Sequence, residues 1–194
     1  MDAISPVASA GDLSYIQSGN RFMDRWMAIE PELFKTGMRR LTAGVTIITT
    51  LHEGERRGLT ATAVCSVSMA PPTLLCCVNR QGSAHDAIVA SGLFAINVLT
   101  ADDHALAERF GGAELGEARF SEGEWDVLAT GAPILKSAFV GFDCRVVQAF
   151  DGATHTIFLG EVVAQRASDG GEPLCYLGGS YGSFHDLEAL LALR

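Results

Sequence analysis

From Val45 onward the chain reads mainly with a period of two. Val45 to Leu51 (VTIITTL) is rich in β-branched residues and predicts a strand, followed by a hairpin loop over HEGERRG. Gly58 to Met69 (GLTATAVCSVSM) alternates small polar with apolar residues, as one strand with a wet face would. Pro71-Pro72 is expected to end it, because neither residue donates to a ladder. LLCCV (74–78) and LFAINVL (93–99) read as buried strands. AFVGFDCRVVQAF and HTIFLGEVVAQR read as two long strands joined by the turn DGAT.

Helical spacing interrupts this pattern. In PELFKTGMRRLTAG, Phe34, Met38 and Leu41 recur at helical intervals, with Pro31 suited to the first turn and Gly44 to the C-cap. That stripe is expected to pack into the core. Ser83 and Asp86 form a capping-box-like pair ahead of AIVAS, and Gly92 closes that helix. Thr100 with Asp103 opens another, ending near Phe110. RFMDRWMAIE near the amino terminus is short and amphipathic, and the tail SFHDLEALLAL reads as helical. About six hairpin-joined strands with inserted helices do not make the repeated βαβ pattern of a parallel sheet. The expectation is a mainly β protein with helices, a small antiparallel barrel. Residues 1–30 form an arm with a short helix and 31–194 one domain. A barrel with a continuous wet strand face is expected to pair with a second copy of itself.

Composition trims the function classes. Of 194 residues, 48% are hydrophobic and 19% charged, which is a globular balance. Acidic residues outnumber basic ones by 23 to 14, a net charge of -9, which opposes nucleic-acid binding but not a small local anion site. The five cysteines form no C-x-x-C, and all but Cys65 have apolar neighbours, so buried thiols are expected in place of disulfides or a zinc site. MDAISPVASAGDL lacks the features of a signal peptide, and no apolar run reaches the roughly 20 residues of a membrane span. A soluble, cytoplasmic protein without membrane contact is expected.

Three places could carry chemistry. Thr60, Ala61, Thr62 and Ala63 are small enough for a flat ligand to reach the backbone, and Ser66 and Ser68 add hydroxyls on one face. A polar-faced edge strand would explain them equally. Asn79-Arg80-Gln81-Gly82-Ser83, between a strand and a helix, offers N–H groups and a guanidinium to a phosphate, or is an ordinary capped loop. His155 begins a strand, where it can orient a polar ligand group or serve structure alone. No H-E-x-x-H, Walker loop or G-x-G-x-x-G occurs, so neither metal chemistry nor the usual dinucleotide fold is expected.

Taken together, the order GVTIITT, GLTATAVCSVSMAPPTLL, N-x-x-x-S, FAINVL, RF, HTIFLGEV and PLCYLGGSYG resembles the short-chain flavin reductases of the flavin reductase-like family. The resemblance runs from about Phe34 to Tyr181, most of the chain. It implies the FMN-binding split-barrel fold and hydride transfer from NADH or NADPH to FMN or FAD. It also implies delivery of reduced flavin to a partner monooxygenase. Alternatives left open are a split barrel that retains FMN to reduce a ferric chelate or cobalamin, and a non-enzymatic flavin-binding module. By the resemblance, Thr60, Ala61, Thr62, Ala63 and Val64 line the isoalloxazine edge, and Ser66 and Val67 continue toward the ribityl chain. Cys77, Val78 and Asn79 lie beside the flavin, and Ser83 and Ala84 at its phosphate. His155 approaches the nicotinamide, with Tyr181 near it. Thr154 stands where the family often has an acid, and Ser180 where it often has a base. Gly58, Gly82, Gly152 and Gly160 fall in or beside these segments and are expected to serve the cofactors.

Overall fold

The computed structural model describes residues 29–114, 116–187 and 191. The expected arm apart from residues 29 and 30, and residues 188–190, 192 and 193 of the expected carboxyl-terminal helix, lie outside them, while residues 183–186 of that segment are not helical. A helix α1 (Pro31–Met38) precedes strands β1 (Ala43–Gly44), β2 (Thr46–His52), β3 (Glu55–Ala61), β4 (Val64–Met69) and β5 (Pro72–Asn79). Helix α2 (His85–Ser91), strand β6 (Leu93–Val98), a 3-10 turn at Ala101–Asp103 and helix α3 (His104–Gly111) follow. A second 3-10 turn (Gly116–Ser121) leads to β7 (Trp125–Val127), β8 (Pro133–Leu135), β9 (Val140–Gly152), β10 (His155–Ala167), β11 (Leu174–Leu177) and β12 (Ser180–Ser183).

Seven strands form the main sheet in the order β3-β2-β6-β9-β10-β5-β4, every neighbour antiparallel. The edges, β3 and β4, are consecutive in the chain and joined only by Thr62 and Ala63. Such a link reaches about 10 Å. A flat seven-stranded sheet would hold its edges about 29 Å apart. The sheet must therefore curl until its edges approach at Thr62–Ala63. Since β3 and β4 share no ladder, the resulting antiparallel barrel is split there. Two smaller sheets, β1-β11-β12 and β7-β8, complete the fold.

This corrects the expected single strand over Gly58 to Met69. Thr62 and Ala63 stand outside both strands as the chain passes from one edge to the other, and the core-facing positions change parity from Leu59 and Ala61 to Val64. The expected loop over 52–58 shrinks to a turn at Glu53 and Gly54, both with positive φ. Arg56 and Arg57 instead lie in β3, where ion pairs with Glu117 and Glu55 hold them at an edge that tolerates charge. β4 does end at Met69, ahead of Pro71-Pro72 as expected, and Pro72 is itself the first residue of β5, a position without need of a donor.

The barrel interior is built from alternate residues: Leu74, Cys76 and Val78 of β5 face inward with Ile48, Phe94, Ile96, Cys144 and Phe158, covered by Ile88 of α2. A second core joins Val45, Ile47, Leu99, Phe110, Phe120, Leu135 and Leu174. Between sheet and β8, buried Asn97 donates to the Ile47 carbonyl (3.1 Å) and accepts from the Leu135 N–H (2.7 Å). Asp143, also buried, accepts from the Thr130 N–H (2.8 Å) and its hydroxyl. Both polar groups are satisfied, as burial requires.

Helix ends depart from expectation in two places. Ser83 and Asp86 do not form a capping box: Ala84 is the N-cap of α2, and the Ser83 hydroxyl donates to the Gly58 carbonyl (3.1 Å). In α1 the cap is Arg39, and Gly44 belongs to β1. The stripe of α1 does not enter the core, because Phe34, Met38 and Leu41 remain about half exposed at 55%, 47% and 60%. Hydrophobic spacing says which face seeks burial, not what buries it. Gly92 does close α2 in the left-handed region (φ 69°), and Thr100 with Asp103 forms a capping box, heading the 3-10 turn before α3.

Two glycines expected to serve cofactors are demanded by packing. A Cβ on Gly160 would lie inside the van der Waals shell of the Phe94 ring and 3.0 Å from Cys144 Cβ. A Cβ on Gly58 would meet Phe110 Cε1 at 2.7 Å and the Ile48 carbonyl at 3.1 Å. Gly160→Ala should therefore cost about 2–3 kcal/mol through overpacking, read as a lower denaturant midpoint at unchanged m-value. A midpoint equal to that of the native protein would refute the account.

Candidate active site

The split in the barrel opens into a cleft of about 330 Å³, within the range of small-molecule sites. Its walls are Leu59, Thr60 and Ala61 at the end of β3, the link Thr62–Ala63, Cys77 and Asn79 of β5, His155 of β10, Val45, and Tyr176 and Tyr181 of the β11–β12 hairpin. Register brings the β5 and β10 residues together. His155 pairs with Asn79, and Ile157 with Cys77, so residues distant in sequence share one end of two strands. Because Cys76 and Val78 point into the barrel, Cys77 and Asn79 point away from its core, as alternation requires.

His155 begins β10, and its Nδ1 lies 2.9 Å from the Thr154 hydroxyl. That contact fixes the ring and leaves Nε2 to a ligand. Thr154 supplies here a neutral partner to the imidazole. Across the cleft, Tyr176 and Tyr181 pair directly in the β11–β12 ladder, their rings 5.4 Å apart and 62° inclined. Burial, then Glu108 and Tyr176, pushes the Tyr181 phenol up, so it stays a neutral hydrogen-bonding group.

Of the residues singled out from sequence, Thr60, Ala61, Thr62, Ala63, Cys77, Asn79, His155 and Tyr181 line this one cleft. The others lie elsewhere. Val78 and Ala84 are fully buried in the barrel core, and Val64 packs against it. Ser66 and Val67 are exposed at a bulge in β4, where the ladder shifts between Ser66 and Ser68. The Thr60 hydroxyl is spent on the Ala107 carbonyl (2.7 Å), leaving its backbone and methyl toward the cleft.

The loop after Asn79 is tied down by its own donors. The Gln81 N–H donates to Asn79 Oδ1 (2.9 Å), Gly82 N–H to the Asn79 carbonyl (2.8 Å) and Arg80 N–H to the Thr154 carbonyl (3.1 Å). Fewer N–H groups therefore remain for an anion than the loop's composition suggests. Arg80 itself pairs with Asp151 at 2.7 Å.

Sequence reasoning missed Val45, Leu59 and Tyr176 as cleft walls, and it missed Arg119. Arg119 is buried and donates to the carbonyls of Gly58 (2.6 Å) and Gly112 (2.8 Å) and to Ser83 Oγ (3.2 Å). Burial draws its pKa down, and neutral acceptors hold the charge. It staples the second 3-10 turn to β3 beside the cleft. The signal available in sequence was an arginine in the RF step with apolar Ala118 and Phe120 on either side. No Asp, Glu, Lys or Arg lines the cleft. No cluster that could hold a metal occurs among the described residues, and no described helix is long and apolar enough to cross a membrane.

Residues 38–185 match the flavin reductase like domain. The chain belongs to that family. Among curated relatives, it is 47% identical over 148 residues to the FMN reductase (NADH) RutF of Agrobacterium fabrum, covering 76% of this chain and 85% of that protein. Its fold is similar to the Streptomyces globisporus NADH:FAD oxidoreductase SgcE6, solved in complex with NAD and FAD fragments (TM-score 0.76, 28% identity, 84% of this chain and 99% of that one). It is also similar to BorF, the flavin reductase component of a bacterial two-component tryptophan halogenase (TM-score 0.75, 27% identity, 81% and 99%). The family implies a flavin, and the cleft fits one. Small side chains from Thr60 to Ala63 let a flat ring approach the backbone, and the polar groups of Asn79, His155 and Tyr181 can meet its edges or those of a second ring.

Thiol reactivity maps the same surface. All five cysteines are unbridged; Cys65 is exposed, Cys77 half-buried, Cys76 and Cys144 buried. Burial, then Cys65, pushes the Cys77 thiol up, while burial and then Asp143 push Cys144 up to about 12. Iodoacetamide at mildly alkaline pH should alkylate Cys65 first and Cys77 more slowly, reaching Cys76 and Cys144 only on unfolding. Peptide mass spectrometry reads the order, and early labelling of Cys76 would contradict the buried register of β5.

Proposed function

We propose that this protein is an NADH-dependent flavin reductase, which transfers hydride from NADH to FMN and releases the reduced flavin to a partner monooxygenase component. The observation that carries the reading is one cleft at the split of the barrel, where the small side chains of Thr60–Ala63 face His155 and Tyr181. Curated relatives named FMN reductase (NADH) favour that pair of substrates, and the neighbour named as a NADH:FAD oxidoreductase keeps FAD as a second acceptor. NADPH is the less favoured donor on the same ground. The halogenase reductase component is the analogue for a partner that receives reduced flavin.

Nicotinamide and flavin supply the hydride chemistry itself. The chain's contribution is position and field. The N–H groups of Thr62 and Ala63 are set to meet the flavin edge and to stabilise negative charge that gathers there on reduction, while the Ala63 carbonyl is taken by the Cys77 N–H (3.0 Å). Ser83 and Arg80 stand toward a phosphate end, with Val64, Ser66, Val67, Val78 and Ala84 supporting that wall from core and bulge. His155, its ring held by Thr154, orients the nicotinamide carboxamide and moves no proton. Tyr176 and Tyr181 cover the opposite side and exclude water.

Assembly and location complete the reading. Phe34 and Met38 of α1, Val147 and Phe150 of β9 and Val163 of β10 are exposed apolar side chains that support a homodimer. Five unbridged thiols support a reducing, cytoplasmic setting.

Anaerobic mixing of the protein, FMN and NADH should bleach the oxidised flavin's visible absorption catalytically. FMN that stays bound through gel filtration while added flavin is not turned over would overturn the reading. His155→Ala should raise KM for NADH by about fivefold, one hydrogen bond's worth, while FMN affinity moves less. FMN should also slow alkylation of Cys77 but not of Cys65. Equal rates for Cys77 with and without FMN would place the flavin elsewhere.

A further inference from the structure

Arg80 and Asp151 meet at the rim of the cleft. Arg80 follows Asn79, a cleft wall, and Asp151 lies in β9 opposite Thr156, one step from the pair Gly152–His155. The Asp151 carboxylate is fixed from its own turn: Oδ1 accepts the Ala153 N–H (2.8 Å) as well as Arg80 Nη2 (2.7 Å). Arg80 is anchored only through its backbone, by the Thr154 carbonyl. Its side chain is 44% exposed and that of Asp151 65%. An ion pair so exposed is screened and weakly held, and a phosphate offers a guanidinium a stronger, bidentate partner.

No Asp, Glu, Lys or Arg lines the cleft, yet the substrates assigned to it carry phosphate. Arg119, the other cation beside this wall, is buried and spends its donors on three carbonyls and Ser83. Arg80 is thus the guanidinium free to change partners. We infer that Asp151 is a positioning residue that competes with a substrate phosphate for Arg80 and so attenuates the cleft's grip on phosphorylated substrates. The inference rests on the flavin reductase reading. It gives the protein a built-in reason to hold its flavin loosely: each phosphate that binds must displace a carboxylate the fold keeps in place. The phosphate is either the terminal monoester of FMN or the pyrophosphate of NADH.

Asp151→Asn tests this cleanly, because an asparagine oxygen still accepts the Ala153 N–H and only the charge is lost. Fluorescence titration of the full chain should show FMN binding tightened by about two- to fivefold, the worth of an exposed ion pair, with riboflavin, which lacks the phosphate, tightened less. In an Arg80→Gln background FMN should bind more weakly, and the effect of Asp151→Asn should vanish. A fall in KM for NADH, dependent on Arg80 and with FMN affinity constant, would support the inference and assign the phosphate to the nucleotide. Equal tightening for riboflavin, tightening that persists without Arg80, or no change for either substrate would overturn it. Failure of the native protein to reduce FMN with NADH would instead overturn the flavin reductase reading, whatever the titrations give.

Discussion

A two-residue link between strands at opposite edges of one sheet governs this structure. Thr62 and Ala63 cannot span an open seven-stranded sheet, so the sheet closes, and where it closes it cannot pair. The unpaired gap is the cleft. Closure and function therefore have one cause: the backbone left outside both strands is the backbone a flat ligand can reach. Bulkier residues in the link would fill the space that the link creates.

Around that constraint the barrel has little slack. Gly160 is small because the Phe94 ring crosses the interior against it, and Gly58 because Phe110 does the same on the outer face of β3. Long strands β9 and β10 carry the register that sets His155 opposite Asn79. A one-residue slip would turn His155 away and push Phe158 out of the core, so the hydrophobic interior also enforces the geometry of the cleft. Arg119 holds β3 from behind through the Gly58 carbonyl, and the same arginine meets Ser83 at the neighbouring wall.

Much of this was legible residue by residue. The β-branched run at 45–51, the strand at LLCCV, the left-handed Gly92 and the Thr100–Asp103 box all follow from local chemistry, and the structure bears each out. The small-residue run Thr60–Ala63 and His155 stood out because their residue types suit a ligand better than a core. Arg119, Tyr176 and the Arg80–Asp151 pair did not, since each gains its meaning from a partner far along the chain. Ser83 looked like a helix cap because its short-range spacing allows one. A carbonyl 25 residues away took its hydroxyl instead.

The amino-acid sequence by itself determined the antiparallel β class, the positions of most strands and turns, and the resemblance that narrowed the chemistry to flavin reduction. Periodicity, turn residues and side-chain size act over a few neighbours, and these can be read in one dimension. Only the tertiary structure decided that Gly58–Met69 is two strands on opposite edges, that the stripe of α1 stays outside the core, and that Arg80 is held by Asp151. Those outcomes depend on which surfaces meet after the sheet has closed, and closure is a property of the whole strand order, not of any segment.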